Sequence, residues 1–131
     1  MIHKIIGKPE KRVDALGKVT GTAKFAEDYN LKHQLYGKVL RAKYPHARIL
    51  KIDTTKAKAL DGVEAVLTAD DIPGNKVFGI VTKNQSVLAF DKVRYLGDGV
   101  ALVAANTKEI AEEALALIEV EYEPLPVVSD P

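Results

Sequence analysis

Polar and apolar positions keep a regular period in only a few stretches of this chain, and those stretches set the expected elements. The clearest is at the C-terminal end. Ile110, Ala114, Leu117 and Ile118 recur at helical spacing, so one side of a helix is apolar. Asn106, with Glu109 three residues later, is expected to cap that helix in a capping box, with Asn in place of Ser or Thr. From Ile118 the period changes to two. Ile118, Val120 and Tyr122 face one way and Glu119, Glu121 and Glu123 the other, which predicts a strand with a solvated acidic face. Pro124 and Pro126 then end regular structure, and residues 124–131 read as the start of a linker.

Strand-like alternation also begins at Leu35, with Leu35, Gly37 and Val39 opposite Tyr36, Lys38 and Leu40. A second run, Ala47 to Ile52, is rich in branched residues, and Lys43-Tyr44-Pro45 between them predicts the turn of a first hairpin. Asp53 is placed to cap a short helix over Thr54 to Leu60, with Gly62 ending it in the left-handed conformation. Val63 to Thr68 returns as a strand, and 72–75 is a loop. Residues 76–91 show no regular period. Val93 to Leu96 and Val100 to Ala105 read as two strands, joined at Asp98-Gly99 by a short hairpin turn. Residues 1–33 are polar and broken by Gly7, Pro9, Gly17 and Gly21. They predict an extended arm with one short strand near Ala23 to Ala26, held by packing against something else. The order of elements is that of an α+β domain, with a mixed or antiparallel sheet, a short helix and one longer C-terminal helix.

Composition narrows the function classes. A chain of 131 residues fits one domain. The net charge of +1 gives no global attraction to nucleic acid or an anionic membrane, and the absence of Trp argues against a base-stacking platform. With no Cys, disulfides, thiolate metal sites and cysteine nucleophiles are excluded. The N-terminus is charged too early for a secretory signal, and the longest apolar run, Val100 to Ala105, is far short of the ~20 residues of a spanning helix. A soluble, cytoplasmic protein is expected.

No constellation carries chemistry on its own. His3, His33 and His46 are far apart in sequence and read as isolated histidines; His46, beside Arg48 at a strand entrance, is expected to serve structure or an interface. Gly97-Asp98-Gly99 begins like a dinucleotide fingerprint, but Leu102 stands at its sixth position and a β-run follows, so no helix N-terminus is aimed at a phosphate. Glu119, Glu121 and Glu123 are spaced ~6–7 Å by strand rise, too far apart for tight shared coordination of a small cation. Asp70-Asp71 reads as a turn or short helix cap. Lys8, Lys11, Arg12, Lys18 and Lys24 make the arm basic, but Glu10, Asp14, Glu27 and Asp28 interleave with them, which favours solvated surface or a protein interface. Ser86 and Ser129 have no nucleophile-elbow context.

Several segments together carry a resemblance. They are Gly7-Lys8-Pro9, Arg12, Asp14 and Lys18-Val19-Thr20-Gly21, then Phe25 and Asp28. Arg41 follows, with Ala42 where Ser is usual, and then His46-Ala47-Arg48-Ile49. Ile52-Asp53, Ala57, Gly62-Val63 and the run Thr68 to Gly74 continue the pattern. Val93 to Asp98, with Gly99 where Pro or Ala is usual, Val100-Ala101, and Val120 to Pro126 complete it. In this order the chain resembles, from Gly7 to Val128, the α/β hammerhead domain at the head of the large subunit of molybdenum hydroxylases, the family of xanthine dehydrogenase, aldehyde oxidase and aerobic carbon monoxide dehydrogenase.

The resemblance implies a single hammerhead domain over 1–131 with no active site of its own. The catalytic Glu and the molybdopterin contacts of that family lie in later domains, and its [2Fe-2S] clusters and FAD in other domains or subunits. The implied role is architectural: a non-catalytic domain packing against the molybdopterin and iron–sulfur components, with Arg41, His46, Arg48, Arg94 and Asp98 supporting motifs or interfaces. The alternative is a free-standing hammerhead interaction module. The tail Val127 to Pro131, where the family's linker to the next domain begins, favours the first. The substrate of a parent enzyme is not written in these residues.

Overall fold

The structure is a computed structural model that describes residues 4–128 and 130. His3 and Ser129, both weighed above, fall outside the described residues. The chain forms two units, Met1–Lys32 and His33–Pro131.

In the first unit the chain turns rather than extends. A five-residue helix, α1 (Ala15–Val19), ends at Thr20, whose hydroxyl donates to the Leu16 carbonyl at 2.7 Å. Gly21 then takes φ +70°, and the Gly17 carbonyl accepts from both Thr22 N and Ala23 N at 2.9 Å. The strand expected near Ala23 to Ala26 is absent from the described residues. A single 3-10 turn, Ala26–Asp28, stands there, with Asp28 Oδ2 accepting from Phe25 N at 2.8 Å. Backbone groups that a ladder would need are used up in local turns, which is where Gly and short polar side chains lead a chain.

In the second unit the strands are β1 (Tyr36–Arg41), β2 (Ala47–Asp53), β3 (Val63–Leu67), β4 (Val77–Phe78), β5 (Gln85–Ser86), β6 (Lys92–Val93), β7 (Gly99–Ala105) and β8 (Glu119–Pro124). Helix α2 (Thr55–Lys58) lies between β2 and β3, and α3 (Lys108–Ala116) between β7 and β8. One three-stranded sheet has the order β1-β7-β3, a second has β6-β2-β8, and β4 and β5 make a small ribbon. Every pairing among the described residues is antiparallel.

Apart from the β4–β5 ribbon, no two consecutive strands pair. The chain crosses from one sheet to the other after β1, β2, β6 and β7. Two expectations fall here. The run around Lys43 to Pro45 is not a hairpin turn, because β1 and β2 lie in different sheets. Nor is Asp98-Gly99, because β6 pairs with β2 while β7 pairs with β1 and β3. The turn glycine is Gly97, at φ +88°, in a reverse turn closed by Asp98 N to Tyr95 O at 3.2 Å. Gly99 is already strand.

The core is built on small side chains. One cluster packs Ala57, Val66, Ala101, Val103, Ala105, Ala111, Ala114 and Ile118, and a second packs Ala42, Ala47, Ala89, Val93 and Val100. Ile52 and Val120 border both clusters. The alanines on α3 and on the central strand β7 let helix and sheet approach closely, and close packing makes such positions intolerant of added volume. Of the apolar stripe expected on α3, Ile110 and Ala114 lie on the helix, with Ala114 and its neighbour Ala111 buried, while Leu117 and Ile118 follow its end. The cap is Thr107, whose side chain accepts from Ile110 N at 3.2 Å. Asn106 is turned to Glu64, donating to Oε1 at 3.2 Å. Helix α2 is shorter than expected. Asp53 Oδ1 accepts from Thr55 N at 3.0 Å, as a first-turn acceptor should, and Gly62 at φ +85° makes the turn into β3. Ala69–Asp71 is a short capped turn, with Asp71 Oδ2 accepting from Thr68 N at 2.7 Å. Strand β8 has the expected exposed glutamates, of which Glu119 pairs with Lys56 and Glu123 with Arg48.

Candidate functional site

Three of the five motif residues meet where two inter-sheet crossings touch. The first crossing, residues 42–46, leads from β1 to β2, and the second, residues 94–98, leads from β6 to β7. Their backbones are hydrogen-bonded to each other: Ala42 N donates to Asp98 O at 2.8 Å, and Gly97 N to Ala42 O at 3.0 Å. The Arg41 guanidinium donates to the Gly97 carbonyl at 3.0 Å. Positive φ at Gly97 orients the two peptides that make these Gly97 bonds.

Asp98 is the one buried charged residue of the described chain, at 5% exposure. Its carboxylate accepts from Arg94 N at 3.2 Å, across the reverse turn. The side chain of Arg94 points elsewhere. Its guanidinium meets Asp91 with both nitrogens at 3.0 Å and also donates to the Lys92 carbonyl at 3.0 Å. Partial burial works against the charge of Asp91, but Arg94 and the Lys92 amide outweigh it and hold its pKa below the usual carboxylate range. The charge of Asp98, with some desolvation and a hydrogen bond to the same carboxylate, raises the phenol of Tyr95 above its ordinary pKa. Tyr122 is raised chiefly by its burial, with smaller contributions from Asp98 and Tyr44. The rings of Tyr44 and Tyr122 lie 5.3 Å apart and tilted, placing an aromatic pair beside the first crossing.

The other two motif residues act on the last strand. His46 Nδ1 donates to the Pro126 carbonyl at 2.7 Å, and Leu125 N donates to the His46 carbonyl at 3.0 Å. A carbonyl can only accept, so Nδ1 carries a proton, and Nε2 lies 3.4 Å from Lys92 Nζ. Arg48 Nη1 reaches Glu123 Oε2 at 2.8 Å across the β2–β8 pair. The structure thus divides the five into two sets: Arg41, Arg94 and Asp98 at the crossings, His46 and Arg48 along β8 and its exit. Asp91 and Ser86 belong to the first neighbourhood and were not singled out as site residues from sequence. Asp91 had a signal in its i, i+3 spacing to Arg94, whereas nothing local marks Ser86.

The described residues assemble no ligand set for a metal ion or an iron–sulfur cluster. Iron–sulfur clusters are bound by thiolates, and the chain has no Cys. No group of three or more His, Asp or Glu among the described residues could hold a metal ion. A groove of about 570 Å³ runs between α3, the first crossing and β8, lined by Leu40, Arg41, Lys43, Tyr44, Leu115 and Tyr122. With no Cys, a thiolate-bound iron–sulfur cluster finds no ligands in this chain. No helix of the described residues is long and apolar enough to cross a membrane.

Two alternating sheets locked at their crossings, with an alanine-faced helix, agree with what comparison with known proteins finds. The family described as aldehyde oxidase and xanthine dehydrogenase, a/b hammerhead domain, matches residues 20–126, and this chain belongs to it. It is 53% identical over 128 residues to a probable xanthine dehydrogenase subunit of Bacillus subtilis (strain 168), covering 97% of this chain and 17% of that protein. It is 50% identical over 123 residues to the nicotinate dehydrogenase large molybdopterin subunit of Eubacterium barkeri, covering 94% of this chain and 29% of that protein. Among solved structures it is similar to CO dehydrogenase from Oligotropha carboxidovorans, with a TM-score of 0.87 and 41% identity over 95% of this chain and 16% of that one. The chain therefore spans less than a third of the length of these relatives. They are themselves subunits or chains of larger oxidoreductases.

Proposed function

We propose that this chain serves as the non-catalytic hammerhead domain, one domain over 1–131, of a molybdenum-dependent hydroxylase of the xanthine dehydrogenase and aldehyde oxidase type. In this reading it packs against the molybdopterin-binding domains and the iron–sulfur and FAD components in the cytoplasm and helps to set their separation. Nucleic acid and membrane are not partners. The molybdopterin, [2Fe-2S] and FAD groups belong to those other parts, where they supply the redox chemistry.

The observation that carries the reading is where the motif residues go. Arg41, Arg94 and Asp98 make hydrogen bonds to backbone groups and to Asp91 within the fold. They meet at the contact between two inter-sheet crossings, while His46 and Arg48 secure β8 at the point where the chain leaves the fold. Residues placed this way define the relative position of two sheets, and hence of whatever rests on each sheet.

Two experiments test it. The intact mass and molybdenum content of the native gene product come first. A polypeptide several times heavier than this chain, carrying molybdenum, is expected; a native product ending at Pro131 and free of molybdenum overturns the reading in favour of a free-standing interaction module. In the heavier product, Ala substitution at Arg41, Arg94 and Asp98 is expected to lower cofactor content and subunit assembly together. Wild-type assembly in every variant rejects the architectural role of these residues.

A further inference from the structure

Asp98 and Ser86 leave a chemical imbalance that the fold does not correct. Asp98 is buried, yet it forms no ion pair among the described residues. Its carboxylate meets neutral donors, the Arg94 amide at 3.2 Å and the Tyr95 phenol. Of the nearby guanidinium groups, Arg94 is paired with Asp91, and Arg41 donates to the Gly97 carbonyl rather than to Asp98. Ser86 Oγ is buried and has no hydrogen-bond partner among the described residues. A buried hydroxyl is seldom left this way, because it has given up its bonds to water and gained none in the protein.

Both residues line the same cavity, of about 500 Å³, with Phe78, Asn84, Arg94 and Tyr95 around them. Its lining holds the Asp98 carboxylate, the unpartnered Ser86 hydroxyl, the amides of Asn84 and Gln85 and the Arg94 guanidinium, with two aromatic side chains on the wall. The carboxylate and the hydroxyl suit a cation, through charge-assisted hydrogen bonds. Arg94 does not favour an anion there, since its charge is met by the bidentate contact with Asp91. The relatives extend far beyond the matched region, so a neighbouring polypeptide exists in them to supply a side chain.

We propose that the cavity between Ser86 and Asp98 receives a cationic side chain, a guanidinium or an ammonium group, from a partner polypeptide. The inference rests on the reading of this chain as a packing domain and names one of its contacts.

The first test is on the 131-residue chain, followed by amide NMR. Methylguanidinium is expected to cause saturable shifts at Ser86, Tyr95 and Asp98, while N-methylurea, its neutral counterpart in shape, and acetate cause none. Asp98→Asn is expected to weaken the response by about tenfold, the scale of losing one charge-assisted contact. Equal responses to methylguanidinium and N-methylurea, saturation by acetate, or no saturable response overturns the proposal. If Asp98→Asn does not fold, Ser86→Cys carries the test. The chain has no other Cys, so the thiol is a unique reporter. A cationic thiosulfonate reagent is expected to label it about tenfold faster than a neutral one of similar size, the scale of local electrostatic enrichment. Equal rates overturn the proposal.

The second test uses the longer polypeptide of the proposed enzyme, with labelling of Ser86→Cys read by peptide mass spectrometry. Protection there is expected. Undiminished labelling shows that no partner side chain occupies the cavity and overturns the inference. Assembly of that enzyme with an unprotected cavity leaves the packing role standing and removes only this contact.

Discussion

The two units of this chain carry the same family's motifs and differ in what holds them. Residues 4–32 include Gly7-Lys8-Pro9, Asp14 and Lys18 to Gly21, yet none of their side chains is buried. Leu16 and Val19 on α1 are 72% and 81% exposed. Residues 33–128 place Val93, Val100 and Val103 at no more than 1% exposure and surround them with close-packed alanines. The first unit is held by turns, capped ends and exposed ion pairs such as Lys18–Asp14 at 2.7 Å, which contribute little in water. The second is held by apolar burial, the dominant favourable contribution to folding. A motif therefore says nothing by itself about stability, and the same family signature spans a segment with a core and one without.

The sharpest way to break this contrast is to remove volume from the second unit. Val103→Ala, on the central strand, is expected to cost about 2 kcal/mol through lost burial and the cavity left behind. It should lower the urea midpoint with an unchanged slope. A cost near zero would mean that the core does not carry the fold.

Asp98→Ala removes the acceptor for the Arg94 amide inside the turn between β6 and β7. The expected loss is about 1–2 kcal/mol. Faster amide exchange at Arg94, Gly97 and Ala42 should accompany it, because the crossings share hydrogen bonds. If exchange at Ala42 is unaffected, the crossings are not coupled.

Thr107→Ala is expected to cost about 1 kcal/mol through loss of the α3 cap. Asn106→Ala should cost clearly less, because Asn106 is turned to Glu64 at an exposed site. The reverse order in thermal denaturation would restore Asn106 as the cap.

The pH dependence sharpens the picture at α2. The Thr55 hydroxyl and amide, with help from Lys51, lower the Asp53 carboxyl from 3.8 to about 2. A depressed carboxylate favours the folded state above its unfolded pKa, and that contribution is lost as pH falls from about 4 through about 2. Carboxyl NMR should place the Asp53 midpoint near 2, and Asp53→Asn should flatten the acid limb of stability. A midpoint at the ordinary value would remove the capping contact.

The smallest effect is expected in the first unit. Leu16→Ser and Val19→Ser should each shift stability by less than about 0.5 kcal/mol, as exposed substitutions usually do. A loss comparable to that of Val103→Ala would show that the contrast between the units is false.

The sequence by itself determined the local content. The two-residue period is realised in β8 from Glu119, and the helical spacing in α3 at Ile110 and Ala114, the helix ending before Leu117 and Ile118. Gly62 takes the positive φ expected of it, and Asp53 accepts from the first turn of α2. These depend on side-chain periodicity and on interactions within a few residues, which a linear reading contains. The family was legible too, because its motifs stand in order and at compatible spacing along the chain.

Only the tertiary structure decided which strands pair. Lys43-Tyr44-Pro45 and Asp98-Gly99 carry good local turn chemistry, but both lie at crossings between sheets. A hairpin would place β7 beside β6, whereas burial of Val100 and Val103 is satisfied with β7 central between β1 and β3. Long-range packing outweighs a turn preference, because turn chemistry allows a reversal without selecting the partner. The same reason hides the neighbourhood of Asp98. Ser86 and Asp98 are separated along the chain, and only the folding of the β4–β5 ribbon beside the second crossing brings both to one cavity.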